Sequence, residues 1–89
     1  MKVEEFTNEF VEFIPEVLQD GVLYCSMKYG TLIHNCACGC GLKTVTPLSP
    51  SGWFLRSDGD TVTLEPSISN YQYPCKSHYF IRNNKVVWA

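Results

Sequence analysis

A mostly β fold, one small antiparallel sheet or curled sandwich stapled by a cysteine–histidine metal site, is predicted by three observations. Short runs rich in β-branched and aromatic residues recur roughly every eight to twelve residues, with Gly, Pro, Asn or Asp between them. Two turn dipeptides, Asp58-Gly59 and Asn83-Asn84, each separate a pair of such runs. Three of the five cysteines crowd into Cys36-Ala37-Cys38-Gly39-Cys40, and Cys75-Lys76-Ser77-His78 follows much later in the chain.

The elements are expected in this order. Phe10-Val11-Glu12-Phe13-Ile14 reads as a strand, and Pro15 to Gly21 as one or two helical turns with Glu16 near the positive end and Gly21 as the stop. Val22 to Met27 and Thr31 to Cys36 are the next strands, separated by Lys28-Tyr29-Gly30. Leu42-Lys43-Thr44-Val45-Thr46 is strand-like by its β-branched content, and Pro47 and Pro50 bracket a loop. Trp53 to Arg56 and Thr61 to Leu64 make a hairpin across Ser57-Asp58-Gly59-Asp60. Residues 65–74, with Pro66, Asn70 and Pro74, read as irregular, and Tyr79 to Arg82 with Lys85 to Trp88 as a last hairpin.

Composition bounds the function. The 89 residues predict a single domain over 1–89, and 45% hydrophobic with 18% charged residues is too apolar for a disordered chain. No apolar run approaches the ~18 residues of a membrane span. The opening carries Glu4, Glu5 and Glu9 where a secretory leader would be apolar, which predicts a cytoplasmic protein. Residues 1–20 hold six acidic groups against Lys2 alone, whereas the six later basic residues are scattered singly. Nucleic acid is therefore an unfavoured partner, and a protein partner is the expectation.

The candidate metal ligands are Cys36, Cys38, Cys40, Cys75 and His78. Thiolate and imidazole suit zinc, which takes four such ligands tetrahedrally. Gly39 and Gly41 permit the sharp backbone that turns sulfurs inward. The first assignment is Cys36, Cys40, Cys75 and His78, with Cys38 able to replace either neighbour or to join both. Iron would use the same soft ligands, but the spacing lacks the cysteine runs of ferredoxins. Four good ligands leave no open position, and no HExxH arrangement is present, so the metal reads as structural.

Other residues receive plainer readings. His34 is expected as a strand residue with its polar tip in water, and Cys25 as a buried small side chain. Ser67, Ser69 and Ser77 show no activating partner and read as turn residues. Trp53, Phe80 and Trp88 are expected to fill a thin core, while Tyr71 and Tyr73 are the surface candidates.

His34-Asn35-Cys36-Ala37-Cys38-Gly39-Cys40-Gly41, then Pro66-Ser67-Ile68, then Pro74-Cys75-Lys76-Ser77-His78-Tyr79-Phe80-Ile81 carry a resemblance. From Glu12 to Trp88 the chain resembles a family of small bacterial proteins with a Cys-x-Cys-Gly-Cys-Gly segment followed by Cys-Arg-Ser-His-aromatic-aromatic-Ile. Lys76 stands where the usual residue is Arg, and Ala37 where several relatives have Pro. Some relatives are encoded beside ubiquitin-like proteins and ThiF-like adenylyltransferases, which implies an accessory role in such a conjugation pathway, or in phage defence. The resemblance implies no particular activity.

The function expected from these readings is a zinc-binding interaction or accessory module, with a component of a ubiquitin-like conjugation system as the implied partner. The alternative is a metalloenzyme or redox accessory with a labile cysteine-rich site. The enzyme reading is the less favoured of the two.

Overall fold

The computed structural model describes residues 2–89. Eight strands form two four-stranded sheets: β1 Thr7–Phe10, β2 Val22–Ser26, β3 Thr31–Asn35 and β4 Lys43–Pro47 in one, β5 Phe54–Ser57, β6 Val62–Asn70, β7 Ser77–Arg82 and β8 Lys85–Trp88 in the other. Each sheet keeps its strands in chain order. All pairs are antiparallel except β1 with β2, which run parallel with Thr7 opposite Val22. The predicted β class is therefore the observed one.

Both sheets contribute to one core. Leu23, Cys25 and Leu32 from the first meet Val62, Leu64, Ile68, Tyr79, Ile81 and Val86 from the second, and Phe6 with Cys36 and Ala37 joins them. The burial of β7 alternates, with Ser77, Tyr79 and Ile81 inward and His78, Phe80 and Arg82 outward, as the two-residue repeat of a strand requires. Phe80 thus leaves the predicted core list, whereas Trp53 and Trp88 pack partly buried against the core.

The N-terminal segment links the sheets. Phe6 N–H donates to Asn84 O at 2.7 Å, Val86 N–H to Glu4 O at 2.9 Å, and Val3 N–H to Ala37 O at 2.7 Å. Residues 3–6 thereby cross from the cysteine segment to the start of β8 before the chain enters β1.

Three local expectations are corrected. The first strand is Thr7–Phe10 rather than residues 10–14, because its ladder is set by parallel pairing to β2; Phe13 is left exposed beside Tyr29. Residues 15–21 form no helix. Val17 is 83% exposed, so a one- or two-turn helix there would have no apolar face to bury against the domain and would not repay its nucleation cost. Residues 65–70, read as irregular, continue β6 through Pro66. Proline donates no ladder hydrogen bond, and the strand accommodates it with a bulge. Between the pairs Leu64–Ile81 and Ile68–Tyr79, β6 advances four residues and β7 only two.

Both predicted hairpins form. Asp58 Oδ1 accepts from Asp60 N–H at 2.9 Å and Thr61 N–H at 2.7 Å, which fixes the β5–β6 turn and holds the Asp58 carboxyl below its usual range. At the β7–β8 turn Asn83 and Asn84 have φ of 49° and 67°, the left-handed pair of a tight hairpin turn. Asn84 is also buried, and its Oδ1 accepts the buried Val62 N–H at 2.8 Å.

Asn84 should therefore separate two costs in urea unfolding. Asn84→Gly keeps the backbone conformation but strands the Val62 amide, which should lower stability by about 1–3 kcal/mol. Asn84→Ala adds a left-handed alanine and should lose ~1 kcal/mol more. Equal stability of the two variants would show that the backbone conformation carries no cost.

Candidate functional site

Cys36 follows β3 and begins a tight turn in which Gly39 N–H donates to Cys36 O at 3.1 Å, while Cys36 N–H donates to Leu42 O at 2.8 Å. Gly39 and Gly41 adopt φ of 87° and 81°, a region that costs glycine nothing. The turn directs three sulfurs towards Cys75, which lies just before β7. The sulfurs of Cys36, Cys38, Cys40 and Cys75 all lie within 4.8 Å of one another.

The spacing suits a tetrahedral ion. Zinc–sulfur bonds of about 2.3 Å imply sulfur–sulfur edges of roughly 3.8 Å. Cys36 and Cys38 are 3.5 Å apart, and Cys36–Cys75 and Cys40–Cys75 are each 3.8 Å. These four cysteines can hold a metal ion. Neighbouring polar groups face the sulfurs: Asn70 Nδ2 donates to Cys36 Sγ at 3.4 Å, and Ser77 Oγ donates to Cys75 Sγ at 3.2 Å. Such donors are what anionic sulfur needs around it.

Protonation within the group is uneven. Burial acts to raise the Cys38 thiol, but hydrogen bonds from Ser77, Cys40, Cys75 and Cys36 outweigh it and bring it down to about 6. Cys40 is pushed up to about 12 by burial and then by the Cys38 and Cys75 sulfurs, against a hydrogen bond from the Leu42 backbone. Cys38 readily becomes anionic and Cys40 then resists. A cation among them removes that resistance, since it compensates every added negative charge. Cys25 stands apart, fully buried in the core with its thiol raised to about 11 by burial alone.

His78 is not brought to the sulfurs. It points outward from β7, away from inward-facing Ser77, and both its ring nitrogens are engaged elsewhere. Ser67 Oγ lies 2.7 Å from Nε2, and the Tyr71 hydroxyl lies 2.8 Å from Nδ1. Ser67 is thus not a turn residue without a partner. It sits on β6 where the strand has its surplus residues, two positions before Ser69, the register partner of His78. A bulge of this kind commonly re-aims a side chain beside a functional site. His78 lines an open cleft of about 520 Å³ with Lys2, Tyr71 and Trp88, and Cys38, Cys75 and Ser77 line the same cleft, so the cysteine cluster and the histidine share it although they do not touch.

Sequence reasoning missed Ser67 because Pro66 reads as a strand breaker, and only the β6–β7 register puts the serine against the histidine. The available signal was the strand alternation on both sides of Pro66, which keeps Leu64 and Ile68 inward and Ser67 outward. Tyr73, the other tyrosine of the 71–73 segment, donates its hydroxyl to Lys43 O and ties that segment to β4.

His34 also departs from expectation. It is fully buried, with Nε2 at 2.8 Å from the Tyr79 hydroxyl and Phe6 edge-on at 5.1 Å. The Tyr79 oxygen in turn accepts Ala37 N–H at 3.3 Å, so this pair braces the cysteine turn from beneath. Burial lowers the imidazole pKa to about 3.

These features define a class: a small β protein with a four-cysteine cluster and, close by on β6 and β7, a serine–histidine pair. Residues 10–89 match the family model BubE, described as bacterial ubiquitination-like system serine protease, and the chain belongs to that family. No curated protein and no solved structure matches it.

The depressed His34 pKa has a signed consequence. Folding requires the neutral ring, so its contribution is complete above the unfolded value near 6.5 and shrinks as pH falls towards 3. The stability gap between wild type and His34→Gln should therefore narrow from pH 7 to pH 5 in urea unfolding. Loss of any ion bound by the cysteines at lower pH would affect both proteins and cancel in the difference. A gap that widens would contradict burial of a neutral histidine.

Proposed function

We propose that this protein is a serine hydrolase that cleaves peptide or isopeptide bonds in proteins of a bacterial ubiquitination-like system, on a scaffold held by zinc in its four-cysteine cluster. The observation that carries the reading is the 2.7 Å contact between Ser67 Oγ and His78 Nε2. That distance lies within the range for a nucleophile and its base. The description of the family as a serine protease of such a system supports the same chemistry.

The steps follow from the pair. As Ser67 Oγ attacks the substrate carbonyl, its proton passes to Nε2 of His78. The imidazolium then gives that proton to the leaving amine as the carbon–nitrogen bond breaks, leaving an ester on Ser67. A water, deprotonated by the same nitrogen, attacks the ester and releases the acid, and the proton returns to Ser67.

Zinc has a separate task. Cys36, Cys38, Cys40 and Cys75 would hold it through four sulfurs, and a full set of four protein ligands would give it a structural rather than a reacting role. This assignment keeps the cysteines expected from the sequence and replaces His78 by Cys38. A reducing cytoplasm would keep the four thiols free for metal. In this reading the interaction-module expectation becomes the substrate-binding side of the enzyme, because a protease of a conjugation system must grip a protein.

Purified protein should contain about one zinc per chain, with cobalt substitution giving the spectrum of a tetrahedral all-sulfur site. Chelation or Cys75→Ala should loosen the fold in circular dichroism and amide exchange, as metal binding contributes directly to folding free energy. His78→Ala should retain the zinc. Equal metal loss in His78→Ala and Cys75→Ala would return the histidine to the ligand set.

The hydrolase reading is tested with an alkyl fluorophosphonate, which reports an activated serine without knowledge of the natural substrate. Oγ–phosphorus bond formation, with fluoride leaving and the serine proton passing to His78, should mark Ser67 in peptide mass spectrometry. Labelling should vanish in Ser67→Ala and fall at least ~100-fold in rate in His78→Ala, with zinc content unchanged in both. Wild-type protein that is folded, zinc-loaded and inert to the reagent would defeat the proposal and leave a non-enzymatic interaction module.

A further inference from the structure

Ser67 and His78 alone leave one requirement unmet. A neutral imidazole carries one proton, and Nε2 can accept from Ser67 only if that proton resides on Nδ1. In many serine hydrolases a carboxylate on Nδ1 enforces this tautomer. Among the described residues no carboxylate is hydrogen-bonded to His78. The group on Nδ1 is the Tyr71 hydroxyl at 2.8 Å.

We infer that Tyr71 is the positioning residue of this site, its phenolic oxygen accepting the Nδ1 proton of His78 and so presenting the Nε2 lone pair to Ser67. The inference rests on the hydrolase reading and adds the third member of the relay. Three further observations support it. The Tyr71 ring stands edge-on to the imidazole, with centroids 5.5 Å apart and planes at 68°. Phe80 contacts the imidazole as well, at 6.2 Å and 31°, so the ring is packed by two aromatics and its plane is restrained. Tyr71 directly follows β6, one residue after Asn70, whose side chain reaches both Cys36 Sγ and Thr44 Oγ1. The phenol is thus anchored through buried polar contacts although its own side chain is exposed.

The chemistry differs from that of a carboxylate. A phenol is neutral, so it accepts the Nδ1 hydrogen bond of the imidazolium without supplying an opposing full charge, and, being able to donate as well as accept, it favours the tautomer less strongly than a carboxylate would. The sensitivity of the rate to its removal should be smaller than for a triad aspartate. The role is geometric: Tyr71 keeps His78 in the orientation and protonation that Ser67 needs, and touches neither the substrate carbonyl nor the leaving group.

Tyr71→Phe isolates the hydroxyl, because it keeps the ring packed on His78. With an alkyl fluorophosphonate as probe, the maximal inactivation rate should fall ~10- to 100-fold while the half-saturating reagent concentration stays within about twofold. The second readout is nitrogen-15 NMR of histidine-labelled protein in the resting state. The chain has two histidines, and a His78→Gln sample assigns the signals. Wild type should show His78 protonated on Nδ1, and Tyr71→Phe should shift it towards Nε2–H or a mixture. An unchanged tautomer together with an unchanged inactivation rate would overturn the role of Tyr71 while leaving the Ser67–His78 pair intact. Absence of Ser67 labelling in wild type would overturn the hydrolase reading, and the NMR comparison would still decide the tyrosine–histidine contact by itself. A rate loss with the tautomer preserved would reassign Tyr71 to reagent contact and overturn the inference.

Discussion

The approach of Cys75 to the turn at residues 36–40 is the constraint on which the remaining geometry hangs, because it is where the end of β3 meets the start of β7 and one sheet is fastened to the other. Cys36 and Cys75 are 39 positions apart in the chain and their sulfurs are 3.8 Å apart in space. Closing such a loop costs conformational entropy that a small core must otherwise supply. An ion bound only by the folded form would offset that cost through its binding free energy. The surrounding contacts are arranged to favour the closed form: Val3 N–H and the Tyr79 hydroxyl hold Ala37, while Asn70 spans from Cys36 to Thr44.

Strand β7 divides two tasks between its two faces. Ser77 and Tyr79 point inward, one to the sulfurs and the other to His34, whereas His78 points outward to Ser67 and Tyr71. A strand side chain inherits its direction from its neighbours, so whatever fixes Ser77 and Tyr79 also fixes the imidazole between them. The cysteine cluster and the serine–histidine pair are therefore coupled through backbone geometry without sharing a residue. Reactive side chains on a strand supported from beneath need less local reinforcement than the same groups on a free loop. For the proposed hydrolase, an open cleft also suits a macromolecular substrate, since a protein chain can reach the pair without entering a deep pocket.

The sulfur group was largely visible in the sequence. Cys-x-Cys-Gly-Cys-Gly leaves little freedom for three sulfurs on one turn, and Cys75 is the one remaining cysteine outside a strand core. Whether His78 joins the sulfurs was not visible, because Cys75 and His78 are close enough in sequence for both to reach one point if residues 75–78 formed a turn. β7 instead starts at Ser77, and extended backbone turns the His78 ring to Ser67 and Tyr71 rather than to the sulfurs. His34 was misjudged for a related reason: alternation says that a side chain faces one side or the other, but not which side a second sheet will cover.

The sequence by itself determined the β class, both hairpin turns and the crowding of three cysteines, since each depends on backbone preferences of residues adjacent in the chain. Only the tertiary structure decided that β1 runs parallel to β2, that β6 passes through Pro66 with surplus residues, and that Ser67 meets His78. These outcomes depend on pairing between segments distant in sequence, where register and bulges are chosen by the burial of Leu64, Ile68, Tyr79 and Ile81 in a shared core. Local propensity is silent about that choice, because the energy that makes it is the burial of apolar surface contributed by strands far apart in the chain.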